Sequence, residues 1–238
     1  ATHSILDHVM LLEHRTTVDL EYQQQVALGS SHDLIWGLGY RYSEDHIRDT
    51  PIVEVPDQSD VATLYSVYAQ DEITLQPQRW RLSVGARLDY NDATHLGVQP
   101  NVRLLWTPDA AHSAWISVAR AIRTPSRMEQ DRNVYRFPIP SFDVAMAPPT
   151  IIETVTGPLQ DEEVDALDVG WRGQLGAKAS LDIAGFYYHY DDLRGGQLGP
   201  PAMIPPGYLI IPTQTDNSLN AHSYGAEVSL DWCVLPSW

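Results

Sequence analysis

From Arg81 to Tyr90 the sequence alternates without a break. Leu82, Val84, Ala86, Leu88 and Tyr90 are interleaved with Arg81, Ser83, Gly85, Arg87 and Asp89. Successive side chains point to opposite faces in an extended strand, so this stretch reads as a strand with one apolar and one charged face. The pattern recurs in about nine segments: 16–28, 33–43, 61–72, 78–91, 98–106, 113–121, 163–172, 179–191 and 222–234. Helical periodicity is weak throughout, and its best case, ILDHVMLLEH at 5–14, reads equally well as a strand. With 17 Pro and 15 Gly in 238 residues, the chain suits many strands joined by turns. The expected fold class is all-β, antiparallel and up-and-down.

The connections alternate in length. Short ones fall at GSSH (29–32), around Gln76-Pro77, at TPDAAH (107–112) and at GQLGAK (173–178), whereas the long ones span 44–60, 122–162 and 192–221, with a modest one at 92–97. Every second connection of an up-and-down sheet lies at the same end, so one end carries tight turns and the other long loops. Transmembrane barrels have this asymmetry, with apolar residues outward and polar residues toward the lumen. Trp80 and Tyr90 share the parity of Leu82, Val84 and Leu88 and bracket them. Ten residues at about 3.3 Å each, tilted by about 45°, rise about 23 Å, close to the ~25 Å apolar band between two aromatic girdles. Trp106 closes the next strand with the parity of Val102 and Leu104, and Tyr224 and Trp232 bracket Ala226, Val228 and Leu230.

On this reading Trp80, Leu82, Val84, Leu88, Tyr90, Trp106, Tyr224, Val228, Leu230 and Trp232 face lipid. The alternative is a soluble all-β binding or structural module, a sandwich or lipocalin-like barrel. In that case Leu82, Val84, Leu88, Val228 and Leu230 would be buried in a core.

Several function classes are disfavoured. The formal charge of −16 opposes general binding to nucleic acid or anionic lipid. No apolar run reaches the ~18 residues of a transmembrane helix, and ATHSILDHVM has no charged region leading into an apolar one, so no signal peptide is read there. A single cysteine, Cys233, excludes an internal disulfide. No GxSxG, HExxH or CxxC occurs, and Ser126 has no base placed by spacing, so the chain is not read as an enzyme. Neither His3, His8 and His14 near Glu13 nor His189 with Asp191 and Asp192 has a metal-ligand spacing. No metal site and no resident cofactor are expected.

The order of several segments resembles the TonB-dependent receptors, the energised outer-membrane transporters of Gram-negative bacteria. The resemblance rests on SVYAQDEITL (66–75), RLSVGARLDYND (81–92), VQPNVRLLWTP (98–108), AWISVARAIRTPSRMEQD (114–131), DEEVDALDVGWRG (161–173), SLDIAGFYYHYDDLRG (180–195) and SYGAEVSLDW (223–232). It covers nearly the whole chain, most clearly from about 61 to 234. It implies one partial barrel domain over 1–238, a middle portion of a plugged barrel of about 22 strands. The plug, the energy-coupling box and the terminal strands are not matched, and ETVTGPLQDEE stands where the family usually has an Asn-Pro turn.

The implied function is receptor-mediated, energised uptake of a scarce nutrient, most readily a ferric siderophore. The implied partners are outer-membrane lipid, the TonB complex acting through a plug, and a small-molecule metal chelate as cargo. The inward parity then gives a lumen wall of Arg79, Arg81, Arg87, Asp89, Gln99, Asn101 and Arg103. Above it, Arg120, Arg123, Arg127, Arg132 and Arg136 cluster with Tyr135 and Phe137 in an otherwise acidic chain. Arginine forks suit carboxylate, catecholate or phosphate oxygens, and aromatics can stack on a planar chelate. These arginines and Tyr135 are the candidate ligand residues. The competing reading is ion pairing with Glu44-Asp45 and Asp161-Glu162-Glu163.

Overall fold

The structure is a computed structural model that describes residues 2–8, 11–50, 52–130, 134–139, 150–205 and 208–234. Its strands in chain order are β1 (Thr2–His8), β2 (Leu11–Leu28), β3 (His32–Arg48), β4 (Val53–Glu54), β5 (Ser59–Gln76), β6 (Trp80–Asn91), β7 (His95–Asp109) and β8 (His112–Arg123). A one-turn helix α1 (Arg127–Gln130) follows. Then come β9 (Val134–Ile139), β10 (Thr150–Val155), β11 (Glu162–Leu175), β12 (Ala179–Leu198), β13 (Ala202–Ile204) and β14 (Tyr208–Trp232). All belong to one 14-stranded sheet, ordered β1-β2-β3-β5-β6-β7-β8-β11-β12-β14-β10-β9-β4, with β13 beside β14. Its pairings are antiparallel apart from β10 against β14.

All nine expected strands are present. Of residues 5–14, the best helical case, Ile5–His8 and Leu11–His14 instead pair as β1 and β2, Ile5 opposite His14 and Asp7 opposite Leu12. The segment expected as a loop over 192–221 is strand up to Leu198 and again from Tyr208. Its register shifts between Tyr190 and Gly195, and its ladder runs through Thr213, Gln214, Thr215 and Asp216. A strand that carries polar residues on both faces and a bulge has no period-two signal to read. The connection at 44–60 narrows to 49–58, and that at 122–162 holds α1, β9 and β10.

Tight turns at one end are closed by left-handed residues, Gly29, Gln78 and Gly176, with φ of 71°, 61° and 73°. Glycine takes that conformation without steric cost.

Register divides the side chains into two faces. Trp80, Leu82, Val84, Leu88 and Tyr90 of β6 stand opposite Trp106, Leu104, Val102, Val98 and Leu96 of β7. The same face continues through Val118 and Ile116 to Leu167 and Val169, then to Tyr187, Ile183, Tyr224 and Val228. Most of these residues are uncovered. Val84 is 41% exposed, Leu88 38%, Val228 68% and Leu230 58%, and Leu82 is half-buried. A soluble module with this face as its core would bury them. Trp80 and Trp106 stack across strands at 5.7 Å near the tight turns, and Tyr40 and Tyr65 pair at 5.1 Å toward the other end.

The opposite face is polar and locally cross-linked. Arg87 donates to Asp89 and to Ser66, both at 2.9 Å, and Gln99 donates to Asp89 at 2.8 Å. Arg81 pairs with Glu72 at 3.1 Å, and the Arg103 guanidinium lies 5.7 Å from the Trp115 ring centroid. Trp115 in turn lies across Gly170, where a Cβ would collide with the indole. Of the other residues expected on this wall, Asn101 shares the face through its pairing with Gly85, and Arg79 sits in the tight turn, its N–H donating to Gln76.

Candidate ligand site at the long-loop end

Among the described residues, the buried apolar core is small and lies in the long loops. Ile47, Val53 and Val55 are buried, with Ile52, Met128 and Tyr135 packed against them. Tyr135 is held there by its hydroxyl, which donates to the Met128 carbonyl at 3.0 Å. The polar face of β8 leads into residues 124–130, which cross over to the tops of β3 and β5. Ser126 and Glu129 form the carboxylate half of a capping box: the Ser126 N–H and hydroxyl donate to the Glu129 carboxylate at 2.8 and 3.0 Å, while the Glu129 N–H donates to the Ser126 carbonyl at 2.9 Å.

Glu129 joins three segments. It accepts from Arg123 at 3.2 Å and from Arg194 at 2.6 Å, while Arg123 also donates to Glu162 at 2.7 Å. Burial alone would raise the Glu129 carboxyl, but these arginines and the Ser126 donors outweigh it and bring its pKa down to about 2. The hydrogen bond from Arg123 likewise lowers Glu162 against its partial burial.

Arg127, with a side chain only 7% exposed, pairs with Asp45 and lies 3.7 Å from Asp60. It also donates to the Asp57 carbonyl. Arg136 joins Glu54 at 2.9 Å to Glu153 at 3.0 Å, and hydrogen bonds from the guanidinium to both carboxylates raise its pKa. Gln130 donates to the Leu159 carbonyl at 2.7 Å and accepts from the Leu159 N–H at 2.7 Å.

Beneath this roof is a recess of about 410 Å³, lined among others by Arg41, Asp60, Asp92, Pro125, Arg127 and Gln130. That lies within the range of small-molecule pockets.

The structure separates the candidate ligand residues. Arg123, Arg127, Tyr135 and Arg136 belong to the roofed assembly. Arg120 does not: it pairs in register with Asp165 and lies on the same face as Val118 and Ile116. It donates to Asp165 at 2.8 Å and approaches Glu163 at 3.0 Å. Arg132 lies outside the described residues, as does the side chain of Phe137. Glu129, Arg194, Arg41 and Asp60 were not singled out from sequence, whereas Asp45 pairs with Arg127 as the competing ion-pair reading expects. The Ser126-x-x-Glu129 spacing was a readable signal for one of them; the others are brought in by long-range contacts.

A family model described as TonB dependent receptor-like, beta-barrel, matches residues 6–235. The chain belongs to the TonB-dependent receptor family. Solved structures agree in fold. The siderophore receptor PirA from Pseudomonas aeruginosa superposes with a TM-score of 0.72 at 18% identity, over 92% of this chain and 40% of that one. The ferric enterobactin receptor PfeA, in complex with BCV-L6, gives 0.73 at 17% identity, over 95% of this chain and 34% of that one. The FrpB iron transporter from Neisseria meningitidis gives 0.62 at 15% identity, over 94% and 34%. The receptor barrel described here thus spans between about a third and two fifths of the length of these solved chains. No curated protein sequence matches it.

Proposed function

We propose that this receptor barrel supplies wall and extracellular loops to a Gram-negative outer-membrane receptor for energised uptake of a metal chelate, most readily a ferric siderophore. One observation carries the reading. The sheet leaves an apolar face uncovered, flanked by aromatic residues, while the opposite polar face is roofed at one end by residues 124–130. In this reading Trp80, Leu82, Val84, Leu88, Tyr90, Trp106, Tyr224, Val228, Leu230 and Trp232 meet lipid. Arg81, Arg87, Asp89, Gln99, Asn101 and Arg103 line the lumen, and Arg79 stands at its inner rim.

The roofed recess would take the cargo from outside, and a plug driven by the TonB complex would open the path. Wall and loops bind and orient; the energy comes from the partner. The test is uptake of labelled ferric siderophores by iron-starved cells carrying the intact receptor, with and without an active TonB complex. Uptake that needs both receptor and TonB complex is expected. Energy-independent uptake, or none for any chelate tried, overturns the reading.

A further inference from the structure

Resting on that reading, we infer that the cargo contacting this wall is a neutral or cationic chelate rather than a polyanionic one. The arginines at the mouth invite the opposite conclusion, but among the described residues Arg123, Arg127, Arg136 and Arg194 are already paired. Arg123 is held by Glu129 and Glu162, Arg127 by Asp45 and Asp60, Arg136 by Glu54 and Glu153, and Arg194 by Glu129. Arg41, which lines the recess, donates from Nε to Asp19 at 2.9 Å.

Further carboxylates are held by uncharged donors. Asp92 accepts from the Thr63 hydroxyl at 2.6 Å and its N–H at 3.1 Å. Asp161 accepts from the Thr94 hydroxyl at 2.7 Å. Deeper on the polar face, Asp168 accepts from Tyr188 at 3.0 Å and Glu21 from Tyr68 at 3.3 Å. Around the recess, the guanidiniums of Arg41 and Arg127 are thus paired with Asp19, Asp45 and Asp60, and Asp92 adds a further carboxylate to the lining.

A triply anionic tris-catecholate would have to share each guanidinium with a carboxylate already bound to it, which sets that carboxylate beside the incoming anion. A ferric trihydroxamate balances the metal charge within its own ligand set. A pendant ammonium or amide on such a chelate would find acceptors in Asp92 and Asp161.

The experiment is equilibrium binding to the intact receptor in detergent, with two probes at low and physiological salt: a ferric trihydroxamate bearing one ammonium, and a ferric tris-catecholate. The trihydroxamate is expected to bind at least ~10-fold more tightly, with the gap widening at low salt. Replacing Asp92→Asn together with Asp161→Asn, which keeps the threonine hydrogen bonds, should narrow the ratio about threefold or more. Tighter tris-catecholate binding that weakens as salt is added overturns the inference and leaves the uptake reading standing. An unchanged ratio in the double variant also overturns it, because discrimination would then lie outside this wall. Binding of neither probe, together with no energised uptake of any chelate, overturns both.

Discussion

Replacing Glu129 by Gln should release residues 124–130 from the wall. Glu129 is 14% exposed and is bound by Arg123, Arg194 and both Ser126 donors. Its pKa falls from 4.5 to about 2. At about 1.4 kcal/mol per pKa unit that shift corresponds to roughly 3 kcal/mol. Arg123 and Arg194 are 51% and 44% exposed, so solvent screening reduces the figure to about 1.5–3 kcal/mol. The sign follows from the depressed pKa: the stabilisation is complete above about 4.5 and is lost as pH falls toward 2.

Hydrogen exchange on the intact receptor reads this directly. At neutral pH, Glu129→Gln should lower protection of the backbone around Ser126 and Glu129 by about 10–100-fold. The wild-type protein should approach the variant only in acid, between about pH 4.5 and 2. Equal protection at neutral pH, or convergence already near pH 6, would refute the argument that ion pairing at Glu129 holds this segment.

Four further substitutions probe the rest. Asp45→Asn removes the carboxylate paired with the buried Arg127; proteolysis near 124–130 should increase, by an opening equivalent to about 3 kcal/mol or more, and a rate matching wild type would refute that role. Ile47→Ala, at a fully buried position in the loop core, should cost about 2–5 kcal/mol locally, read as loss of exchange protection around Val53 and Val55, with the β6–β8 ladder unchanged. Val84→Arg should destabilise folding into bilayers by about 2–4 kcal/mol, whereas Ser83→Arg should be tolerated; equal effects would contradict the division of faces.

Most of the barrel was legible in the sequence because its apolar face is written as a period-two pattern. Leu82 to Tyr90 and Val98 to Trp106 carry that pattern, and the register pairs them face to face. The pattern fades where strands carry polar residues on both faces. Thr213–Asp216 are strand, yet nothing in their polarity marks an inside, so they read as loop. The candidate site was half legible. The arginines and the acidic segments Glu44-Asp45 and Asp161-Glu162-Glu163 were both legible as ion-pair partners, but which carboxylate meets which arginine, Glu162 for Arg123 and Asp45 for Arg127, is fixed by sheet order. Arg120 was grouped with Arg123 by proximity in sequence, although an odd spacing of three along a strand puts them on opposite faces.

The central claim is that the uncovered apolar face of the sheet meets lipid. The most direct measurement is nitroxide scanning of residues 82–90 in the intact receptor, with Cys233→Ser as background, reconstituted in bilayers. Probes at Leu82, Val84, Ala86 and Leu88 should be accessible to oxygen and shielded from a water-soluble paramagnet, and probes at Ser83, Gly85 and Arg87 should show the reverse. Accessibility without period two, or shielding of the first set from both reagents, would contradict the account.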